Sequence, residues 1–317
     1  MGPRGFLQNE KQVSEFLTAL KGRKGIPLKF VYLEDGAKNW DAMIENRHYG
    51  LGRLENDLLR SALPRIFGVV GNRRYNIIDI GPGNGKKART ILTYVRTKTK
   101  LAYYIGLDIS QEMLNMALRN LRLYRCHGVA MSSVIIDFEQ GNFSQVTRKL
   151  RQENYPRNLF FLLGNTIGNP FDKDRVLTNI RESMTISDYL VIGLELADLS
   201  NTTRILQHYQ QPVVISFILF CLRSVGIKPS DGKIEVRFNK LKSQIEMRFR
   251  FTRSVHLEYE GEVFKYSKGD RVLLLISYKS DRVKMEGLLE RTGFRMRGFY
   301  TNPDNSYGLI LCQPKRY

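Results

Sequence analysis

Between Tyr75 and about Leu194 the chain alternates apolar strand segments with stretches of helical period, and this alternation restricts the fold more than any other feature. The strand segments read "YNIIDI", "AYYIGLD", "SSVIID", "NLFFLLG" and "DYLVIGLEL". Strands with apolar residues at nearly every position must be covered on both faces, which argues an α/β fold with a parallel sheet between helices. After Asp198 the pattern changes. The helical stretch "VVISFILFCLRSV" precedes "GKIEVRFNKL", "SQIEMRFRFTRSVHLEYEG" and "DRVLLLISY". Their alternation of apolar and charged residues predicts antiparallel strands with one wet face. The helix "DRVKMEGLLERTGF" and the strands "RMRGFYTN" and "YGLILCQ" close the chain, while residues 9–21 and 53–68 near its start read as amphipathic helices.

The first strand releases into "IIDIGPGNGKKA", residues 77–88. A P-loop needs G-x-x-x-x-G-K-[ST], but Ile80 stands where its first glycine belongs and Lys87 where its hydroxyl belongs. The dinucleotide fingerprint G-x-G-x-x-G fails because Lys86 occupies its third glycine position. The remaining pattern, acidic-x-Gly-x-Gly-x-Gly, resembles the first loop of S-adenosylmethionine (SAM) methyltransferases. SAM carries no phosphate, so Gly81 and Gly83 would serve close backbone approach to its amino-acid end. A strand-to-helix turn without a ligand is the alternative reading of this loop taken alone. The second strand, "LAYYIGLDIS", ends in Asp108, placed to accept hydrogen bonds from both ribose hydroxyls of a nucleoside. By itself Asp108 would read as an ordinary helix cap; beside the glycine loop it reads as a ribose ligand. Ser110 is the N-cap candidate of the next helix, "SQEMLNMALRNL". A helix and two strands, the last antiparallel, is how a methyltransferase sheet ends. The expected architecture is therefore a Rossmann-like class I SAM methyltransferase sheet over 58–199 and 277–317. A second, α+β substrate-binding domain is expected over 1–57 and 200–276.

With 317 residues, 42% of them hydrophobic, the chain can bury a full core. No apolar run reaches the ~18–20 residues of a membrane span. "MGPRGFLQNEKQ" lacks the apolar core of a signal peptide, so a cytoplasmic protein with no membrane partner is expected. Cys126, Cys221 and Cys312 lie far apart and no His-rich tract accompanies them, so no metal site is expected. The net charge of +19 would attract nucleic acid or acidic membranes, with basic residues dense in "KKARTILTYVRTKTK", "RNLRLYR" and 223–253. Aromatic and basic residues do not alternate as they do in a base-stacking platform, so a solvated basic surface is the plainer reading.

"RNLFFLLGNTIGNP" couples a buried strand to Gly164, Asn165, Thr166, Ile167, Gly168 and Asn169, at the sheet edge where a methyl acceptor belongs. It resembles the L-G-[ST]-T-I-G-N-F motif of the histidine-specific methyltransferase family, and the resemblance spans nearly the whole chain. "VYLEDGAKNWDAMIENRHYGLGRLE" is similar to the family's substrate-capping segment, with Tyr32, Gly36, Arg53 and Glu55 matched and its tyrosine pair reduced to Tyr49. Lys87 and Asp108 match cofactor positions. "GNFSQVTRKL" resembles the adenine segment, with Asn142 for the usual acid and Phe143 retained; an amide oxygen still accepts from an amino group. "ILQHYQQPVVISF" matches Tyr209, which in the family binds the acceptor's carboxylate, and "KGDRVLLLISYKS" keeps Ser277 and Lys279.

The resemblance implies cofactor contacts at Gly81, Gly83, Lys87, Asp108, Asn142, Phe143 and Gly164. Acceptor contacts are implied at Tyr32, Tyr49, Asn169, Tyr209, Leu275 and Ser277, with Asn169 and Tyr209 closest to the chemistry. Where the histidine enzymes place a glutamate that grips the imidazole, this chain has Leu275. Losing that charged partner would cost histidine roughly 2–4 kcal/mol of affinity. The expectation is N-methylation of an amino acid or amino-acid-derived amine other than histidine. An RNA, DNA or protein methyltransferase using the basic surface, and a non-catalytic SAM-fold partner, stand as alternatives. The four histidines are scattered; His208, beside Tyr209, is expected to be solvent-exposed. On strand alternation, Leu275 should share its face with Leu273 and Ser277.

Overall fold

The computed structural model describes residues 5–22, 25–46, 50–99, 102–124, 129–196 and 202–316. The chain forms two compact units, Gly50–Asp198 with Lys279–Tyr317 and Met1–Tyr49 with Leu199–Tyr278. The border expected between 57 and 58 falls inside one continuous helix, Leu51–Val70, so the whole helix belongs to the larger unit. At the other end, Ser277 and Tyr278 complete a strand of the smaller unit.

The larger unit is a seven-stranded sheet with helices on both faces. Its strands are β1 (Asn76–Ile80), β2 (Ala102–Asp108), β3 (Val129–Ile135), β4 (Asn158–Leu162), β5 (Tyr189–Glu195), β11 (Phe294–Thr301) and β12 (Tyr307–Pro314). Their order is β11-β12-β5-β4-β1-β2-β3. The first five are mutually parallel, and β12 runs antiparallel to β5 and β11. Helices α3 (Leu51–Val70), α4 (Lys86–Thr99), α5 (Gln111–Leu123), α6 (Ser144–Glu153), α7 (Lys173–Glu182) and α11 (Arg282–Arg291) connect and cover it.

The apolar strands are explained by the two cores they separate. Ile77 and Phe161 join Leu59, Ile66, Ile91 and Leu309 on one side of the sheet. Ile78, Phe160 and Leu162 join Ile180, Leu288 and Ile310 on the other. Every residue of β1 and β4 is buried, whereas edge strand β3 is only partly covered. Helix starts follow their caps: the side chains of Ser110, Asp172 and Asp281 accept from the backbone N–H of Met113, Arg175 and Lys284. Pro64 removes one backbone donor inside α3, yet the helix continues because Leu59, Ala62, Leu63 and Ile66 are packed into the core.

The smaller unit contains α1 (Glu10–Gly22), α2 (Asp35–Glu45), α8 (Thr202–Tyr209), α9 (Pro212–Ile218) and α10 (Phe220–Ser224). Strands β6 (Gly232–Asn239), β7 (Gln244–Phe251) and β10 (Arg271–Tyr278) form an antiparallel sheet in the order β10-β7-β6. One face of β7 places Ile245, Met247 and Phe249 in the core. The opposite face gathers Arg237, Arg248, Asn239 and Gln244 around Glu246, and these partners hold that carboxylate down to about 2 against the effect of burial. The stretch "SQIEMRFRFTRSVHLEYEG", expected among the antiparallel strands, divides after Phe251, and β8 (Val255–Tyr259) pairs with β9 (Glu262–Tyr266). Glu260 and Gly261, both at positive φ, make the two-residue turn of that hairpin.

Candidate active site

Strand β1 lies between β2 and β4, so the chain's crossovers diverge at the β1–β4 boundary. Ligands of open α/β sheets bind at the carboxyl ends of strands beside such a switch point. Here β1 ends in the glycine loop, where Gly81, Gly83 and Gly85 take φ values of 70°, 58° and 77°. A side chain would be strained at each of these positions. The loop is anchored on both flanks: Gly81 N–H donates to the Leu107 carbonyl at 2.8 Å, and Asn120 Nδ2 donates to the Asn84 carbonyl at 2.9 Å.

Two carboxylates stand at the strand tips. Asp79 is buried on β1 and accepts from Tyr104 Oη at 3.0 Å. Burial raises its pKa to about 6, opposed by the Lys87 ammonium and the Tyr104 hydroxyl. Asp108, 8% exposed at the end of β2, accepts from Ser110 N–H at 2.9 Å. Burial raises it to about 7 against backbone donors from Ser110 and Ile109, with the charge of Asp79 adding to the rise. A carboxylate held this high gains from new hydrogen-bond donors.

Glu55 is the site residue that sequence reasoning underweighted. Only 1% exposed on α3, it accepts the Gly164 N–H with both oxygens, at 2.7 and 2.9 Å, and pairs with Lys87 Nζ at 2.7 Å. A Cβ at Gly193 would collide with its carboxylate, so that glycine makes room for it. Lys87, expected at the cofactor, thus has its ammonium on Glu55. The only sequence signal was Glu55's place in the N-terminal segment matched to the family.

A second buried pair supports the same loop. Asn165 adopts φ 57°, and its amide bonds Glu195 twice: Oδ1 accepts the Glu195 N–H at 3.0 Å and Nδ2 donates to Oε2 at 3.4 Å. Lys279 pairs with that carboxylate, and burial pushes the Lys279 pKa well below the ordinary lysine value. From this corner the turn Thr166–Gly168 leads to Asn169, half-buried, whose N–H donates to the Thr166 carbonyl at 3.2 Å.

At the expected adenine segment, Asn142 is exposed; its Nδ2 donates to Glu182 at 2.9 Å and its Oδ1 accepts the Ser144 hydroxyl at 3.0 Å. Phe143 is buried against Phe160, and its N–H donates to Ser183 Oγ at 2.8 Å. Both residues therefore help fix the start of α6.

In the smaller unit, Tyr209 and Ser277 meet: the buried tyrosine hydroxyl donates to Ser277 Oγ at 2.7 Å. Tyr32 lies half-buried against Phe217, with ring centroids 5.6 Å apart. Tyr49 lies outside the described residues. His208 is partly buried rather than solvent-exposed, with its ring edge-on to Tyr209, and burial pulls its pKa to about 4. The expected face of Leu275 is corrected in part. A bulge between Leu273 and Leu275 sets Leu273 opposite Arg248 but Leu275 opposite Met247, with Ser277 opposite Ile245. Leu275 therefore shares its buried face with Ser277 and Met247, while Leu273 faces the other way.

Among the described residues no group of three or more His, Cys, Asp or Glu side chains is placed to hold a metal ion, and no helix is long and apolar enough to cross a membrane. The site is that of a doubly wound sheet with a glycine loop at one strand end and a buried carboxylate at the next. The chain belongs to the histidine-specific, SAM-dependent methyltransferase family, whose model matches residues 9–314. It is 24% identical to the histidine N-alpha-methyltransferase of Mycolicibacterium smegmatis over 91% of this chain and 90% of that one. It is 23% identical to the N-methyltransferase fsqC of Aspergillus fumigatus, over 89% of this chain and 78% of that one. A solved SAM-dependent methyltransferase from Clostridium acetobutylicum superposes with a TM-score of 0.49 at 10% identity, covering 88% of this chain and 99% of that one.

The protein is thus a SAM-dependent methyltransferase. Its residues fit that cofactor: side-chain-free backbone at Gly81 and Gly83 and a buried carboxylate, Asp108, at the adjacent strand tip suit an amino-acid tail and a ribose diol.

Proposed function

We propose that this enzyme methylates the amino nitrogen of an amino acid, or of a small amine derived from one, whose side chain is less polar than imidazole. The observation that carries this reading is Leu275, set on the same strand face as Ser277, whose hydroxyl bonds Tyr209. An apolar side chain stands beside that polar pair where the family's histidine enzymes place an acid. The names of the two relatives, both N-methyltransferases, support transfer to nitrogen.

In this reading the backbone of Gly81, Gly83 and Gly164 and the Asp108 carboxylate hold SAM, with its adenine beside Asn142 and Phe143. Lys87 acts on the Gly164 loop through Glu55. The bound cofactor supplies an electrophilic methyl group on sulfonium sulfur. The chain's own task is alignment, because displacement at that carbon needs the nucleophile in line and close. Asn169 is neutral and accepts an N–H from the amine, orienting its lone pair without a carboxylate that would keep it protonated. Tyr209 and Ser277 receive the acceptor's carboxylate, and Tyr32 is a further acceptor contact. In this reading the enzyme works in the cytoplasm.

Incubation with radiolabelled SAM, an amino-acid panel and total RNA tests the proposal. Label should enter the amine of an aromatic or aliphatic amino acid, and Tyr209→Phe should raise KM for that acceptor while leaving SAM affinity unchanged. Histidine as the best acceptor, or label only in RNA, would overturn it.

A further inference from the structure

The basic segment over 86–100 is only partly explained by the methyl-transfer site. Helix α4, KKARTILTYVRTKT, holds Lys86, Lys87, Arg89, Arg96 and Lys98 and no acidic residue. Its two leading lysines diverge. Lys87 turns inward to Glu55, whereas Lys86 falls on the stripe of α4 that includes Arg89, Thr93 and Tyr94. That stripe lines a cleft of about 460 Å³ between α3 and α4, completed by Arg60 of α3 and by Tyr124 just beyond α5.

The lining chemistry is selective. Among the described residues no carboxylate lines the cleft, which offers an ammonium group no counter-charge there. Arg60, Lys86 and Arg89 are the basic residues among its lining. The Arg89 guanidinium lies 4.0 Å from the centroid of the Tyr124 ring, which holds the planar fork in one orientation. Tyr94, tilted against Phe67 at 5.2 Å between centroids, is half-buried and backed by the core, and the Lys98 ammonium lies 5.6 Å from its ring centroid. Fixed guanidinium groups favour bidentate contact with phosphate, and aromatic walls favour a planar ring. The SAM site has the reverse character: carboxylates at the strand tips and a loop that fits no phosphate motif.

We propose that the cleft between α3 and α4 is a second binding site, for a nucleotide. Its phosphate is held by Arg60 and by Arg89, which Tyr124 orients, and its base lies against Tyr94. The nucleotide comes either free or as a unit of single-stranded RNA, and both forms present the same phosphate and ring to the cleft.

The test uses the full chain with three probes: inorganic phosphate, uridine monophosphate and a fluorescent oligouridine of ~10 nucleotides, each titrated with SAM present to fill the transfer site. Oligouridine or the mononucleotide should bind more tightly than phosphate, and tighter binding of the oligonucleotide than of the mononucleotide, with a steeper dependence on log salt, would identify RNA as the source. Charge reversal by Arg60→Glu with Arg89→Glu should weaken binding by about tenfold or more, with SAM affinity unchanged, since two charge-assisted contacts are lost. Thr93→Trp fills the cleft without altering charge and should remove binding equally. Binding that survives Thr93→Trp in a variant with an unchanged circular dichroism spectrum would show generic attraction to a basic surface and overturn the proposal. So would failure of both nucleotide probes to bind more tightly than phosphate.

Discussion

Replacing Glu55 by glutamine tests whether the acceptor loop and the glycine loop are held by one buried carboxylate. The side chain is 1% exposed, its oxygens accept the Gly164 N–H at 2.7 and 2.9 Å, and Lys87 Nζ stands 2.7 Å away. Glutamine keeps the shape and one acceptor oxygen. It cannot satisfy Gly164 and Lys87 together without aiming its NH2 at a donor. Breaking a fully buried ion pair costs about 3–5 kcal/mol, because the partner is left charged and desolvated. The Lys87 side chain retains 18% exposure, so water recovers part of its solvation. Glu55→Gln should therefore destabilise by about 2–4 kcal/mol, lowering Tm by about 4–16 °C for a domain of this size. A double-mutant cycle with Lys87→Met isolates the pair. The two effects should fall short of additivity by at least ~1 kcal/mol, since removing either partner already breaks the interaction. Calorimetry should show weaker SAM binding in both single variants if the pair positions the glycine loop. Additive losses within ~0.5 kcal/mol, together with unchanged SAM affinity, would refute the reasoning.

Asp108→Ala should weaken SAM binding by about tenfold or more, since two hydrogen bonds to a carboxylate are lost; unchanged affinity by calorimetry would reject the ribose assignment. Because burial lifts Asp108 to about 7 in the folded chain, the group stays protonated where the unfolded chain has released its proton. Its contribution to stability is complete below the ordinary carboxylate range and lost as pH rises through about 7, so the cofactor-free protein should become less stable across that window. Ribose hydroxyls favour the ionised form, so SAM binding at pH 6 should release protons, measured by calorimetry in two buffers of different ionisation enthalpy; no release would refute the pKa assignment. Leu275→Glu should raise histidine turnover relative to other amino acids if this strand face borders the acceptor. A large fall in Tm without histidine turnover would show a purely core position and an unpaired buried charge.

The parts of the site legible in the sequence are those with a local cause. Three glycines closing on a strand end demand positive φ, and Asp108 at the next strand tip follows from the same βαβ period. Contacts that close over long sequence distances leave no such mark. Glu55 meets Gly164 across 109 positions and Tyr209 meets Ser277 across 68, so matching to known enzymes could place these residues near the site but could not name their partners. The run Leu273–Ile276 is apolar throughout and gives no sign of the bulge, which is why alternation put Leu273 and Leu275 on one face. The β8–β9 hairpin was missed for another reason. Its turn is Glu260-Gly261 rather than the Asn-Gly or Asp-Gly that announces such turns, and glutamate is seldom found at positive φ.

Two buried ion pairs converge on one short loop, which bears on how the enzyme could discriminate among acceptors. Glu55 holds the loop's first residue by its N–H, and Glu195 holds the second by its side-chain amide, while Lys87 and Lys279 balance the two carboxylates. Asn165 sits at positive φ, a conformation that costs about 1–3 kcal/mol for a non-glycine residue and persists only where its surroundings fix it. Its two hydrogen bonds to Glu195 supply that constraint. A backbone fixed at Gly164 and Asn165 gives Asn169, four residues on, a defined starting point for a role in which a 1 Å error in placing the nucleophile can cost about 100-fold in rate. In the proposed reading selectivity is set elsewhere, at Leu275 on β10, which belongs to a different element from the residues that hold the loop.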